Sequence, residues 1–152
     1  MANEGGSGAG AAPRQHRERR QPETLRLRSV TPTLTVDDIG KSLAWYRDVL
    51  GFVEGEHWEA DGVLQGVQLK AGSCELYLTQ DDWKKGRDRK KGIGVRLSIS
   101  TTPGNVDEIA KRAKHAGITL KSEPHDTEWK SRAFEVSDPS GFLLTIFSEP
   151  SA

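Results

Sequence analysis

The stretch TPTLTVDDIGKSLAWYRDVLGF, Thr31 to Phe52, contains the change of period that decides the fold. Thr33-Leu-Thr-Val36 alternates polar and apolar, as expected for a half-buried strand whose successive side chains point to opposite faces. Asp37 and Asp38 follow, and a carboxylate there accepts the free N–H groups at a helix start. Ile39, Leu43, Tyr46 and Leu50 then recur at helical spacing and predict one apolar stripe. Gly51 supplies the left-handed residue that closes such a helix, and Phe52 and Val53 open a new strand.

Working outward, Asp61-Gly62 marks a turn, Val63 to Lys70 a strand, Ala71-Gly72-Ser73 a second turn, and Cys74 to Leu78 a further strand. The order is strand, helix, strand, strand, strand. The second half repeats it. Val95 to Ser100 alternates, Asn105 and Glu108 stand at capping-box spacing, and Val106, Ile109, Ala110 and Ala113 form a helical stripe closed by Gly117. Ile118-Thr-Leu120, Ala133 to Val136 and Leu143 to Phe147 read as the remaining strands, the last after an Asp138-Pro-Ser-Gly141 turn. The pairs Gly51/Gly117 and Gly72/Gly141 recur at nearly one separation, which argues for an internal duplication.

The chain has 152 residues, enough for one domain with a real core. Lys plus Arg equals Asp plus Glu at 22 each, so overall charge does not favour a nucleic-acid partner. Cys74 is the single cysteine and cannot form an intramolecular disulfide; its parity predicts a buried, inert thiol. No apolar run spans a bilayer and the opening residues lack a secretory apolar block, so no membrane partner and a cytoplasmic location are expected. Residues 1–28, rich in Gly and Ala and then in Arg, read as a disordered basic tail.

On Val36-Asp-Asp-Ile, Ala44-Trp-Tyr-Arg-Asp-Val-Leu-Gly-Phe and Asp138-Pro-Ser-Gly-Phe the sequence resembles the vicinal oxygen chelate superfamily. The resemblance covers residues 29–149. It implies an α+β fold of two βαβββ modules forming cupped mixed sheets, at about 29–78 and 93–149, joined by a connector at 79–92 and completed in a homodimer. That family is similar to glyoxalases, dioxygenases and fosfomycin-modifying enzymes on one side and bleomycin-binding proteins on the other, so fold alone does not fix chemistry.

The resemblance also implies where metal ligands would stand: Thr31, Glu75, Gly94 or Val95, and Thr145. A divalent ion needs converging imidazole or carboxylate donors, and this set offers one. His16, His57, His115 and His125 have no partners at ligand spacing and read as surface histidines. No metal and no cofactor are therefore expected, and no catalytic residue is assigned.

Strand parity opposite the apolar faces places Thr31, Thr33, Gln68, Glu75 and Tyr77 on one cup face, and Arg96, Ser98 and Thr145 on the other, beside Phe147. A solvated sheet face would carry the same polar residues; within a cup they line a small-molecule site. Arg96 pairs with Glu75 or binds an anionic group. Trp129, with Trp58, falls between predicted strands where a loop covers the cup's mouth and stacks on a flat ligand or anchors itself. Trp45 reads as core or dimer packing. The connector, with Trp83 among Lys84, Lys85, Arg87, Arg89, Lys90 and Lys91, reads as a charged, solvated hinge. The expected function is metal-free sequestration or sensing of a small ligand. The rival is a glyoxalase-like or dioxygenase-like metal-dependent enzyme, and a third reading is a structural dimer with an unused cup.

Overall fold

A computed structural model describes residues 27–150, and the expected basic tail and His16 lie almost wholly outside that range. Residues from Thr31 onward form one compact unit. Its elements run β1 (Thr33–Val36), α1 (Ile39–Asp48), β2 (Val53–Ala60), β3 (Val63–Ala71), β4 (Cys74–Gln80), β5 (Arg96–Thr101), α2 (Pro103–His115), β6 (Ser122–Asp126), β7 (Arg132–Ser137) and β8 (Leu143–Ser148). They build two four-stranded mixed sheets, ordered β1-β4-β3-β2 and β5-β8-β7-β6. In each, the first strand pairs in parallel with the last and the rest are antiparallel, so the duplication read from the sequence is a duplication of topology.

The alternation of β1 translates directly into burial: Leu34 and Val36 are buried while Thr33 and Thr35 are exposed. Asp38 caps α1 by accepting the Lys41 N–H at 3.1 Å, and Gly51 takes a positive φ of 75° after the helix. Ile39, Ser42, Trp45 and Tyr46 are the buried residues of α1, and Trp45 is core packing within the single chain. Asp61 and Gly62, at φ 52° and 75°, make the tight β2–β3 hairpin expected of this dipeptide. A single apolar cluster takes side chains from both modules, including Tyr46, Leu69, Phe134 and Ile146, each fully buried. Each such side chain contributes about 1.5–3 kcal/mol relative to exposure.

Asp138 is where the modules lock. It ends the strand before the second module's last turn, is buried, and accepts the Tyr46 hydroxyl of α1 at 2.8 Å on Oδ2. Its Oδ1 accepts three turn amides, Ser140, Gly141 and Phe142, at 2.8–2.9 Å. Burial pushes the carboxyl above its ordinary range against these donors, all of which favour the ionised form. The Asp37 amide donates to Ser140 Oγ at 3.0 Å, a second tie across the junction.

Three sequence expectations are corrected. Ile118-Thr-Leu120 is not a strand; Ile118 and Leu120 pack on the core from the loop, and the strand is Ser122–Asp126. That strand is the sheet's edge, where Pro124 is tolerated and apolar alternation is not required. Asn105 does not cap α2: Thr102 holds the cap position with Pro103 following, and Asn105 Nδ2 donates to Thr101 Oγ1 at 3.2 Å instead. Cys74 is exposed, because it is the first residue of β4, beside the Gly72-Ser73 turn and beyond the reach of the core.

The connector is exposed at Lys84, Lys85, Arg87, Arg89 and Lys90, but it is anchored at its end. Lys91 is nearly buried and forms ion pairs with Asp37 and Asp81, at 2.5 and 2.8 Å. Burial pulls its ammonium pKa down, yet the two carboxylates outweigh burial and hold it above the ordinary value. Trp83 carries Arg87 over its ring and also faces Lys91, each 4.7 Å from the centroid.

Candidate ligand-binding site

In the first module the pairing register sets Thr33, Tyr77 and Gln68 in one row across β1, β4 and β3, with Glu75 two residues along the same face of β4. Gln68 Nε2 donates to Glu75 Oε1 at 2.6 Å, and the Tyr77 hydroxyl donates to the same oxygen at 3.1 Å. Gln68 also accepts the Glu56 N–H at 3.2 Å, at the point where the β2–β3 register slips between Glu54 and His57. The amide thus fastens a bulged edge strand to the polar row. The hydrogen bond from Gln68, then that from Tyr77, holds the Glu75 carboxyl below its ordinary range, while Glu75 pushes the Tyr77 phenol up. At neutral pH the pair is a carboxylate and a neutral phenol.

Trp58 lies on β2 and not in a loop. Its indole sits over Gly66, where an added Cβ would come within 2.0 Å of the ring, and its centroid is 6.1 Å from that of Tyr77. Gly66 exists so that this aromatic can lie flat on the sheet. Trp58 and Tyr77 form an aromatic wall beside the Gln68–Glu75 pair, with Trp58 still 44% exposed.

In the second module Ser98, Thr145 and Glu135 stand in one row across β5, β8 and β7. Arg96 pairs with Glu135 at 3.5 Å, so its carboxylate partner is not Glu75. The Thr145 hydroxyl is buried and meets no hydrogen-bond partner among the described residues. Arg96 and Ser98 are exposed on the same face, and Phe147 is half-buried there. Glu135 was missed by the sequence reading, although its parity between buried Phe134 and Val136 marks it. Trp129 stands 71% exposed in the β6–β7 turn, and no hydrogen bond or ring contact ties it to either row among the described residues.

The donor set does not fit a metal. Thr31 precedes β1 with a neutral hydroxyl, Gly94 and Val95 carry no donor, Thr145 is a neutral hydroxyl, and Glu75 is engaged by two neighbours. Among the described residues no three His, Cys, Asp or Glu side chains converge on a point. His57 lies on β2, His115 ends α2, and His125 on β6 sets Nδ1 against the Glu123 carbonyl at 2.8 Å. No helix among the described residues is long and apolar enough to cross a membrane.

Comparison with known proteins gives four findings. The family model described as the Glyoxalase/Bleomycin resistance protein/Dioxygenase superfamily matches residues 27–146. A bleomycin resistance protein from Geobacillus stearothermophilus is 28% identical over 126 residues, covering 78% of this chain and 94% of that protein. Among solved structures, a glyoxylase/bleomycin resistance protein/dioxygenase domain from Frankia sp. EAN1pec superposes with a TM-score of 0.70 at 20% identity, covering 83% of this chain and 95% of that one. A mutant of the fosfomycin resistance protein FosX from Listeria monocytogenes, complexed with Mn(II) and 1S,2S-dihydroxypropylphosphonic acid, gives 0.61 at 17% identity, covering 79% and 89%. At these identities the two structures show the fold alone.

Proposed function

Because the chain belongs to the Glyoxalase/Bleomycin resistance protein/Dioxygenase superfamily, we propose that it binds a small molecule on its cup faces without a metal, sequestering or sensing it. The observation that carries this reading is the state of Glu75. It is the one strong donor at the four positions where metal-dependent relatives of this fold would place ligands, and Gln68 and Tyr77 already occupy its Oε1. A carboxylate so fixed suits recognition of a ligand's donor group, and the aromatic wall of Trp58 and Tyr77 suits a flat body beside it. The unpartnered Thr145 hydroxyl and the Arg96–Glu135 pair add complementary polar groups from the second module.

The reading includes a homodimer. Trp58 and the apolar Val53 and Val63 of the β2–β3 hairpin are exposed in the single chain, and a second copy would cover them while closing each cup. The metal-dependent alternative gains no support from the donors present.

Melting-temperature shifts with bleomycin, flat aromatic and anionic compounds test this, in chelator and again with added Mn²⁺, Ni²⁺ or Zn²⁺. A ligand at a hundredfold excess over its Kd stabilises by about 2.7 kcal/mol, which raises Tm by about 5–10 °C in a chain of this size. The expected result is a shift equal in chelator and in metal, and lost in Glu75→Ala. Shifts seen only with a divalent ion would overturn the proposal.

A further inference from the structure

Between the edge strand β1 and the connector lies a cavity of about 650 Å³. Thr33, Thr35 and Thr79 form one wall, and Lys84, Lys85, Arg89 and Lys90 stand on the other. The Thr35 and Thr79 hydroxyls are 3.2 Å apart, side by side on adjacent strands. Two acids also line the cavity, and both are engaged. Asp81 holds Lys91 at 2.8 Å and the Trp83 N–H at 2.8 Å. Asp82 accepts the Lys84 N–H at 3.0 Å and lies 3.7 Å from its ammonium. Lys85, Arg89 and Lys90 have no acidic partner within ion-pair distance among the described residues, whereas Lys84 and Lys91 beside them are paired.

Three exposed cations without an ion-pair partner, of which Arg89 alone feels the charge of Asp81, repel one another around one concavity, a cost that an anion would relieve. The loop presenting them is built rather than loose: the Trp83 carbonyl accepts the Gly86 N–H at 3.0 Å, and the indole contacts both Arg87 and Lys91. Little ordering entropy is left for binding to spend. Lysines supply point charges, Arg89 a two-pronged donor, and the threonines neutral hydroxyl donors, which together match the oxygens of a phosphate group.

We propose that this cavity binds the phosphate group of a phosphorylated small molecule. A nucleic acid fits less well, because the nearby Trp83 ring is already engaged by Arg87 and Lys91, each 4.7 Å from its centroid, and a stacking base would have to displace such a contact. The cavity adjoins the polar row of the first module and shares Thr33 with it, but Gln68, Glu75 and Tyr77 do not line it, so variants of Lys85, Arg89 and Lys90 test it apart from the cup reading.

Calorimetric titration of the full chain with inorganic pyrophosphate at low ionic strength tests it. Saturable binding is expected, weakened about tenfold or more by Lys85→Ala/Arg89→Ala/Lys90→Ala. The control Lys111→Ala/Lys121→Ala/Lys130→Ala removes the same charge from exposed sites elsewhere and should leave binding unchanged. Both variants keep the arginines of residues 1–28, so binding there would survive the first variant and be recognised. Absence of saturable binding, or equal loss in both variants, would overturn the proposal. So would a short single-stranded oligonucleotide binding more tightly than pyrophosphate with the same dependence on Lys85, Arg89 and Lys90, which would assign the cavity to nucleic acid.

Discussion

Replacing Asp138 by Ala is expected to lower the unfolding free energy by about 3 kcal/mol or more, because it strands several donors at once. The Tyr46 hydroxyl and the amides of Ser140, Gly141 and Phe142 all end on this one carboxylate, at 2.8–2.9 Å. Tyr46 is fully buried, so its hydroxyl has no water to turn to. Tyr46→Phe removes one donor and leaves the turn intact, and it should cost about 1 kcal/mol. The double variant should cost less than the sum of the two, since each single change removes the same bond. Urea unfolding reads this as a shift in midpoint at unchanged slope. A loss below about 1 kcal/mol for Asp138→Ala would mean that the junction does not depend on the carboxylate.

Gly92→Ala should be similarly damaging, at about 3 kcal/mol, for a different reason. Gly92 has φ 80°, and an added Cβ would lie 2.5 Å from the Gly141 carbonyl oxygen and 3.0 Å from Phe142 Cα. Both obstacles are backbone, so no side-chain rotation relieves them, and the connector must move off the Asp138 turn. The left-handed conformation alone costs a non-glycine residue about 1–2 kcal/mol. Gly62→Ala isolates that part, because Gly62 has φ 75° with open space where its Cβ would go. The difference between the two variants in the same unfolding measurement reports how tightly the connector seats against the second module. Equal losses would refute the close approach.

Both residues belong to signals visible in the sequence, and what was legible follows from how local each signal is. The β1–α1–Gly51 succession and its repeat in the second half depend on period, capping and positive φ, all of which act over a few residues. They carried the two-module architecture. Strand parity correctly set Leu76 and Leu78 against Glu75 and Tyr77, but it could not say that Cys74 begins its strand beyond the core. It gave Arg96 a face without a neighbour, and only the β5-β8-β7 register brings Glu135 within reach. Ser122–Asp126 has no apolar alternation because an edge strand is pinned mainly by its partner's backbone. Composition marks the connector as charged and solvated, as Lys84, Lys85, Arg87, Arg89 and Lys90 are, but gives no sign that Lys91 is ordered by Asp37, distant in sequence, and by Asp81. Long-range ion pairs leave no mark in local pattern.

The same limit applies to the cup. That Glu75 faces away from the core was readable; that its oxygen is shared by Gln68 and Tyr77, and that Trp58 lies flat on Gly66 beside them, required the register of β2, β3 and β4. These contacts join separate polar residues into one cluster of hydrogen bonds beside an aromatic surface. The central claim is that this organisation stands in place of a metal centre.

Elemental analysis of the full chain, purified without chelator and measured by plasma mass spectrometry, tests that claim most directly. Divalent transition-metal content far below one ion per chain, unchanged by Glu75→Gln, is the expected result. About one tightly held Mn, Fe, Ni or Zn ion per chain, lost in Glu75→Gln, would contradict it and make the protein a metal-dependent member of its family.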